Sequence, residues 1–369
     1  MKLLVIVHQY YPNIGGVESV VKSIVDRLPR YKKLINGVIV LTGEKNIQEM
    51  IIEDVNDFVR IYRWPVLAWN NAYFIPKDLY KLYDIVHQIV MTNDIKVVHV
   101  HCAHAIFPVV LGLYIKRKFR DKVKLIVSMH YHASGHSFVR VFLWKFWRFY
   151  VNMLVNLADV LHSVSIYESE LIKRDYPISN NKLVIIPNGV DEKVFNYRWR
   201  GQESNYILYA GRIEKYKNIE KAFIILKALN KYVKDFKLKI IGNGPYLVKL
   251  KKIASDMGLF NHVIFGNYTS KERYYETIAN AYSVVNLSEH EAFSIFVAEA
   301  LAIGTPAIVS HNIAKIYLEP FSFEGVCIYS VLHKVLDILN LKLLVPSRNI
   351  HIFTWNDVVD MLVSKIYRS

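Results

Sequence analysis

The run LSEHEAFSIFVAEALAIGTP, residues 287–306, carries three carboxylates, of which Glu291 in the turn and Glu299 eight residues on are the candidates for chemistry. An apolar strand leads into it, a helix is expected to start near Phe293 or Ser294, and Gly304 stops that helix. Glu291 then sits in the turn and Glu299 inside the helix. A carboxylate accepts hydrogen bonds from sugar hydroxyls, and its two oxygens suit a vicinal ribose diol. The free N–H groups of Ser294 and Ile295 at the helix start can meet phosphate or sugar oxygens. Read singly, Glu291 is equally a helix cap and Glu299 a surface residue.

Cations stand upstream. In Tyr206–Asn218 a strand ends at Gly211, Arg212 follows at once, and Lys217 comes five residues later, near the next helix. Ligands bind at strand ends in open α/β sheets. A guanidinium fork and an ammonium point charge converging there would neutralise a diphosphate, although an ordinary solvated loop reads the same way. The next strand ends in Gly242-Asn243-Gly244-Pro245, a weak fragment of a dinucleotide fingerprint. Gly15 and Gly16 sit between the first strand and its helix, where backbone N–H groups can approach an anion. Paired glycines in such a place are also a common turn.

These groups need strands and helices to hold them. Apolar runs at Lys2–Val7, Lys96–Val100, Lys124–Met129, Leu183–Ile186, Tyr206–Ala210, Lys237–Ile241, His262–Phe265, Ser283–Leu287 and Ala307–Ser310 read as strands. Helical periodicity lies between them, as in Val17, Val20, Val21, Ile24, Val25 and Leu28. Strand–helix alternation predicts parallel sheets covered on both faces. The polar stretch Asn188–Asn205 reads as a link, and Thr354–Tyr367 as an amphipathic helix packing back on the first domain. The boundaries are then 1–192, 193–350 and a closing helix at 351–369.

Composition bounds the rest. A chain of 369 residues that is 53% hydrophobic can bury two cores. No apolar run reaches the ~18 residues of a membrane span, and the short apolar start reads as a strand rather than a leader. Cys102 and Cys327 are far apart and read as free thiols in a reducing compartment. The net charge of +15 fits phosphorylated ligands or anionic lipid. Zinc-finger spacing and RNA-binding aromatic signatures are lacking, which argues against nucleic acid.

Taken together and in order, these residues resemble the retaining glycosyltransferases of family four. Gly15-Gly16 is similar to that family's glycine loop, Pro187-Asn188-Gly189-Val190-Asp191 to its interdomain segment, and Gly211-Arg212 with Lys217 to its phosphate motif. Gly242-Asn243-Gly244-Pro245 is similar to its glycine turn, Glu291 and Glu299 to its paired glutamates, and Trp355 with Tyr367 to its closing helix. The resemblance implies the GT-B architecture: α/β, with two Rossmann-like domains whose parallel sheets face across a cleft. It implies transfer of a hexose from a UDP-sugar or GDP-sugar to an acceptor hydroxyl, with retention. Arg212 and Lys217 would then carry the leaving diphosphate, Glu299 the ribose and Glu291 the donor sugar, with His130 beside it. No metal or other cofactor is implied. A sugar-nucleotide 2-epimerase and a non-catalytic nucleotide-sugar-binding protein share the architecture. The family usually has glycine where Ala292, Ser294 and Asn218 stand, and His311–Leu344 is short for it.

Histidines crowd the first half: His99, His101, His104, His130, His132 and His136. His101, Cys102 and His104 match no standard zinc spacing. Phe138–Asp159 is aromatic and basic, with Lys145, Arg148, Asn152, Asn156 and Asp159 on one helical stripe. It reads either as a core helix or as an interfacial one with Trp144 and Trp147 inserted into lipid. The second reading places the enzyme in the cytoplasm, peripheral at the inner face of an anionic membrane, with a glycan or lipid-linked acceptor.

Overall fold

In the computed structural model the described residues are 1–13, 15–68, 73–103, 105–131, 138–177, 180–231, 234–317, 341–344 and 351–368. His104, His132, His136, Cys327 and most of His311–Leu344 lie outside them. The chain divides into two compact units, Met1–Asn188 with Trp355–Ser369, and Gly189–Thr354.

In the first unit, strands β1 (Lys2–Val7), β2 (Gly37–Glu44), β6 (Ile95–His101), β7 (Lys124–Ser128), β8 (Val160–Ser163) and β9 (Leu183–Ile185) are parallel neighbours in the order β2-β1-β6-β7-β8-β9. Beyond β2 lie β4 (Val59–Leu67), parallel to it, and β3 (Ile51–Asp54) and β5 (Ile75–Pro76), both antiparallel to β4. The sequence pattern had not marked β2, β4 or β8. Buried nearly throughout, β2 and β4 lack the alternation that flags a half-exposed strand. Helices α1 (Gly16–Val25), α2 (Leu79–Thr92), α3 (Ile106–Phe119), α4 (Phe138–Leu157) and α5 (Ile166–Asp175) connect the strands.

The second unit has parallel strands β10 (Tyr206–Ala210), β11 (Lys237–Ile241), β12 (Val263–Gly266), β13 (Ser283–Asn286) and β14 (Ala307–Ser310), with β15 (Leu341–Leu344) antiparallel at one edge. Their order is β12-β11-β10-β13-β14-β15. Helices α6 (Glu220–Leu229), α7 (Leu247–Asp256), α8 (Lys271–Ala279), α9 (Ile295–Ile303) and α10 (His311–Tyr317) follow the strands, and apolar clusters fill both faces of the sheet.

The closing helix α11 (Trp355–Leu362) and the π-turn Val363–Tyr367 belong to the first unit. Arg30 donates to Asn356, the Tyr31 hydroxyl donates to Asp360 at 2.6 Å, and Lys124 donates to the Ile366 carbonyl at 2.6 Å. Tyr367 enters a buried polar chain whose direction is fixed from its far end. The Ile186 carbonyl can only accept, so His162 Nε2 donates to it at 2.8 Å. His162 Nδ1 must then accept from Ser128 Oγ at 2.6 Å, and Ser128 Oγ accepts from His99 Nε2 at 2.7 Å. His99 Nδ1 is left to accept from the Tyr367 hydroxyl at 2.8 Å. Each ring is neutral in this arrangement.

Burial, with neighbouring imidazoles second, holds His99 and His101 well below the ordinary range and pushes His130 down to about 3, and burial pushes His162 down to about 4 against its hydrogen bond to the Ile186 carbonyl. Unfolded, these rings gain protons near pH 6.5. The unfolded state therefore binds more protons from about pH 4 to about 6.5, and stability rises with pH in that window. Glu168 and Glu299, pushed up to about 7 by burial, act oppositely above about pH 4.5, because the folded state keeps their protons. Four imidazoles outweigh two carboxyls. Denaturant midpoints should be higher at about pH 6.5 than at about pH 5, and the reverse order would show that the rings are charged in the fold.

Candidate active site

In the second unit the candidate groups stand at the carboxyl ends of β10, β11 and β13. The turns after β10 and β11 meet backbone to backbone. A Cβ on Gly242, whose φ is +146°, would lie 1.9 Å from the Gly211 carbonyl oxygen. Gly211 N donates to Ile241 O and Ile213 N to Asn243 O, each at 2.9 Å. The Tyr209 hydroxyl donates to the Arg212 carbonyl at 2.8 Å. This clamp leaves the Arg212 side chain 60% exposed, paired with Glu214.

The chain then turns through Lys215–Lys217 to Asn218, which has φ +50°. The left-handed conformation explains the glycine usual in the family, and asparagine is among the few other residues that tolerate it. The turn brings Lys217 Nζ onto Glu291 Oε1 in a short ion pair, both side chains being about 15% exposed. Burial opposes the lysine's charge, but Glu291 and the hydroxyls of Tyr216 and Tyr209 outweigh it and hold Lys217 above its ordinary range.

Helix α9 is capped by Ser294, whose Oγ accepts from Val297 N at 3.4 Å and from Asn286 Nδ2 at 2.8 Å. The residue that departs from the family's glycine is therefore the cap itself. Val297's amide is taken by Ser294, and Ile295 stands one position past the cap. Glu299 is 8% exposed, which removes the surface reading. Its Oε2 accepts from the Tyr274 hydroxyl at 2.7 Å and its Oε1 from that of Tyr275 at 3.4 Å. Burial pushes the carboxyl up to about 7 against these hydrogen bonds and against Lys271. Sequence reasoning missed the tyrosines, which no motif spacing ties to Glu299.

In the first unit Gly15 caps α1, and a Cβ there would meet the Glu18 carboxylate at 2.2 Å. That carboxylate lies 3.4 Å from His8 Nε2. A phosphate approaching the N–H groups of Gly15 and Gly16 would have to displace it. His130 is 7% exposed, with φ +48°, and its Nε2 lies 3.2 Å from His101 Nδ1. Among the described residues no group of three or more His, Cys, Asp or Glu side chains is arranged to hold a metal ion.

Two Rossmann-like units, the second joining the turns after β10 and β13 through the Lys217–Glu291 pair, define the GT-B architecture. The description "Glycosyltransferase Family 4" matches residues 14–194, and "Glycosyl transferases group 1" matches residues 191–318. Alpha-monoglucosyldiacylglycerol synthase of Streptococcus pneumoniae is 24% identical, over 85% of this chain and 71% of that protein. A GDP-mannose-dependent alpha-(1-6)-phosphatidylinositol monomannoside mannosyltransferase of Mycolicibacterium smegmatis is 23% identical, over 84% and 80%. The structure of Anabaena HepE in complex with UDP-glucose superposes with a TM-score of 0.60 at 15% identity, over 84% of this chain and 80% of that one. The chain belongs to the family-four glycosyltransferases.

Removing one partner of a buried ion pair leaves the other charge uncompensated. Lys217→Ala should cost about 3–5 kcal/mol of stability, whereas Arg212→Ala, at an exposed pair, should cost less than about 1 kcal/mol. Denaturant unfolding of the two variants checks this, and equal small losses would show that the Lys217–Glu291 pair is solvated.

Proposed function

We propose that the protein transfers a hexose from a UDP-sugar or GDP-sugar, with retention, to a hydroxyl of a glycan or lipid-linked acceptor. The observation that carries this reading is the buried ion pair of Lys217 and Glu291, which joins the turn after β10 to the turn after β13. Arg212 and Lys217 take the charge of the leaving diphosphate. An ammonium has three donors, so Lys217 can keep Glu291 and still meet a phosphate oxygen. Gly242 lets the backbone come close to the phosphates, and Ser294 and Ile295 offer the start of α9 to the donor. Glu299, already oriented by two tyrosines, has lone pairs left for a ribose diol. Glu291 positions the donor sugar, with His130 beside it, and Gly15 and Gly16 admit the acceptor.

We assign neutralisation of the leaving group to these cations and not to a metal. Activity should persist in excess chelator, and its loss with rescue by a divalent ion would overturn the assignment. The main test is donor turnover with and without acceptor. Consumption only with acceptor supports transfer, and isomerisation without it supports the epimerase reading. In the transfer assay, Arg212→Ala should lower the rate by about 10²–10³, since each such donor faces developing charge.

Helix α4 suggests where the acceptor is met. Trp144, Trp147, Val151, Leu154 and Val155 pack on the core, which favours the core-helix reading for the tryptophans. On the outer side Phe146, Phe149 and Tyr150 are 66%, 64% and 46% exposed. Among the described residues no helix is long and apolar enough to cross a membrane. Exposed aromatics on a chain of net charge +15 suit reversible docking at the inner face of an anionic membrane, each nearby cation adding about 1 kcal/mol. The pneumococcal and mycobacterial relatives are named for glycolipid products or acceptors, which favours a lipid-linked acceptor here. Phe146→Ser with Phe149→Ser should reduce sedimentation with anionic vesicles at unchanged melting temperature. Undiminished sedimentation would move docking elsewhere.

A further inference from the structure

Glu168 is fully buried, and it is the third residue of α5. In a capping box a glutamate at this place accepts the N–H of its own N-cap residue. Here the Ser165 hydroxyl caps the helix, accepting from Glu168 N at 3.0 Å, but the Glu168 carboxylate goes elsewhere. Its Oε2 accepts from Val164 N at 2.6 Å, with Ser163 Oγ at 3.1 Å, just past β8. Its Oε1 accepts from Tyr131 N at 2.5 Å, just past β7 and 37 residues away in sequence. Helix capping does not require that second reach.

The amide it captures is the one that follows His130. With φ +48° His130 is in the left-handed region, where a bulky residue persists only if its surroundings hold it. The surroundings do so from three sides. Glu168 holds the next peptide, His101 meets the imidazole at 3.2 Å, and the Tyr131 hydroxyl donates to Asp175 at 2.8 Å while its ring stacks on Trp144. Of these only the Glu168 contact acts on the peptide that follows His130; on the preceding side Met129 N donates to the His162 carbonyl at 3.2 Å and Ala103 N to the Met129 carbonyl at 3.3 Å. Two N–H donors converge on it, so an acceptor-only group fits and an amide would turn NH₂ against one of them.

We infer that Glu168 is a positioning residue, bridging the exits of β7 and β8 so that the His130 backbone stays in its left-handed turn and the imidazole keeps its aim. The inference rests on the proposed place of His130 beside the reacting sugar. Displacement of about 1 Å at a reacting centre costs on the order of 10² in rate. Glu168→Gln should therefore lower kcat about 10- to 100-fold while leaving KM for the donor near the wild-type value, assayed well below the melting temperature.

A double-mutant cycle separates positioning from general weakening of the fold. In a His130→Ala background, Glu168→Gln should lower kcat no further. If Glu168→Gln does not fold, Glu168→Asp replaces it, because the shorter carboxyl group keeps its two acceptor oxygens and Val164 but falls short of Tyr131. A folded variant with kcat within about twofold of wild type, or losses that multiply in the cycle, would overturn the inference. NMR of the Tyr131 amide and the His130 ring gives a readout independent of activity. Both resonances should move in the Glu168 variant, and unchanged positions would also overturn it. A wild-type chain that transfers no sugar would sink the functional reading, while the resonances still decide the geometry.

Discussion

Gly242 and Gly244 have no room for side chains. A Cβ on either would fall about 2 Å from a carbonyl oxygen, that of Gly211 or that of Ile213. The turns that end β10 and β11 are thereby pressed together, and the backbone hydrogen bonds between them follow from that approach. The consequences run outward. The chain after Gly211 cannot spread over the sheet edge, so it presents Arg212 outward and doubles back through the left-handed Asn218. That return brings Lys217 under Glu291, which links the end of β10 to the turn after β13. Any side chain at Gly242 would move the cation pair before touching the chemistry itself.

Buried polarity is handled in two ways. The second unit keeps charge. Lys217 faces Glu291, and Glu299 faces two tyrosine hydroxyls, arrangements that rarely stabilise a fold as well as apolar packing would. Such pairs are understandable where a charged ligand is to be met, because the pair holds the groups in place and each retains unused donors or acceptors. One buried chain in the first unit keeps neutrality instead. Tyr367, His99, Ser128, His162 and the Ile186 carbonyl form a chain in which each bond has one allowed direction, and the rings stay uncharged. That chain also ties the closing segment to the strand ends, so the last residues of the sequence help to hold the neighbourhood of His130.

Much was legible in the sequence. The β-branched runs gave the central strands of both sheets, and strand–helix alternation gave their parallel sense. Glycines at strand ends marked the places where groups could gather, and the order of Arg212, Lys217, Glu291 and Glu299 along the chain carried the family resemblance. These features are local: a strand end, a cap and a left-handed turn are decided by a few neighbouring residues. The strands β2 and β4 went unmarked although they are as fully buried as β1 and β14, which were read.

Tertiary structure decided the rest. Periodicity divided α4 into a polar stripe and an apolar remainder, but only the sheet beneath it fixed which aromatics faced inward. Trp147 packs and Phe149 does not, although both are equally apolar in sequence. Glu299 was ambiguous until α8 supplied Tyr274 and Tyr275. No motif marks Glu168, and it meets the Tyr131 amide, 37 residues away in sequence, only because β7 lies beside β8. In each case the partner comes from a distant segment, and the hydrogen bond or contact exists only because the sheet order makes those segments neighbours. Sequence determines which groups are available and how the nearby backbone bends. Which group meets which is set by long-range strand pairing, because side-chain contacts reach only a few ångströms and the chain order does not record that proximity.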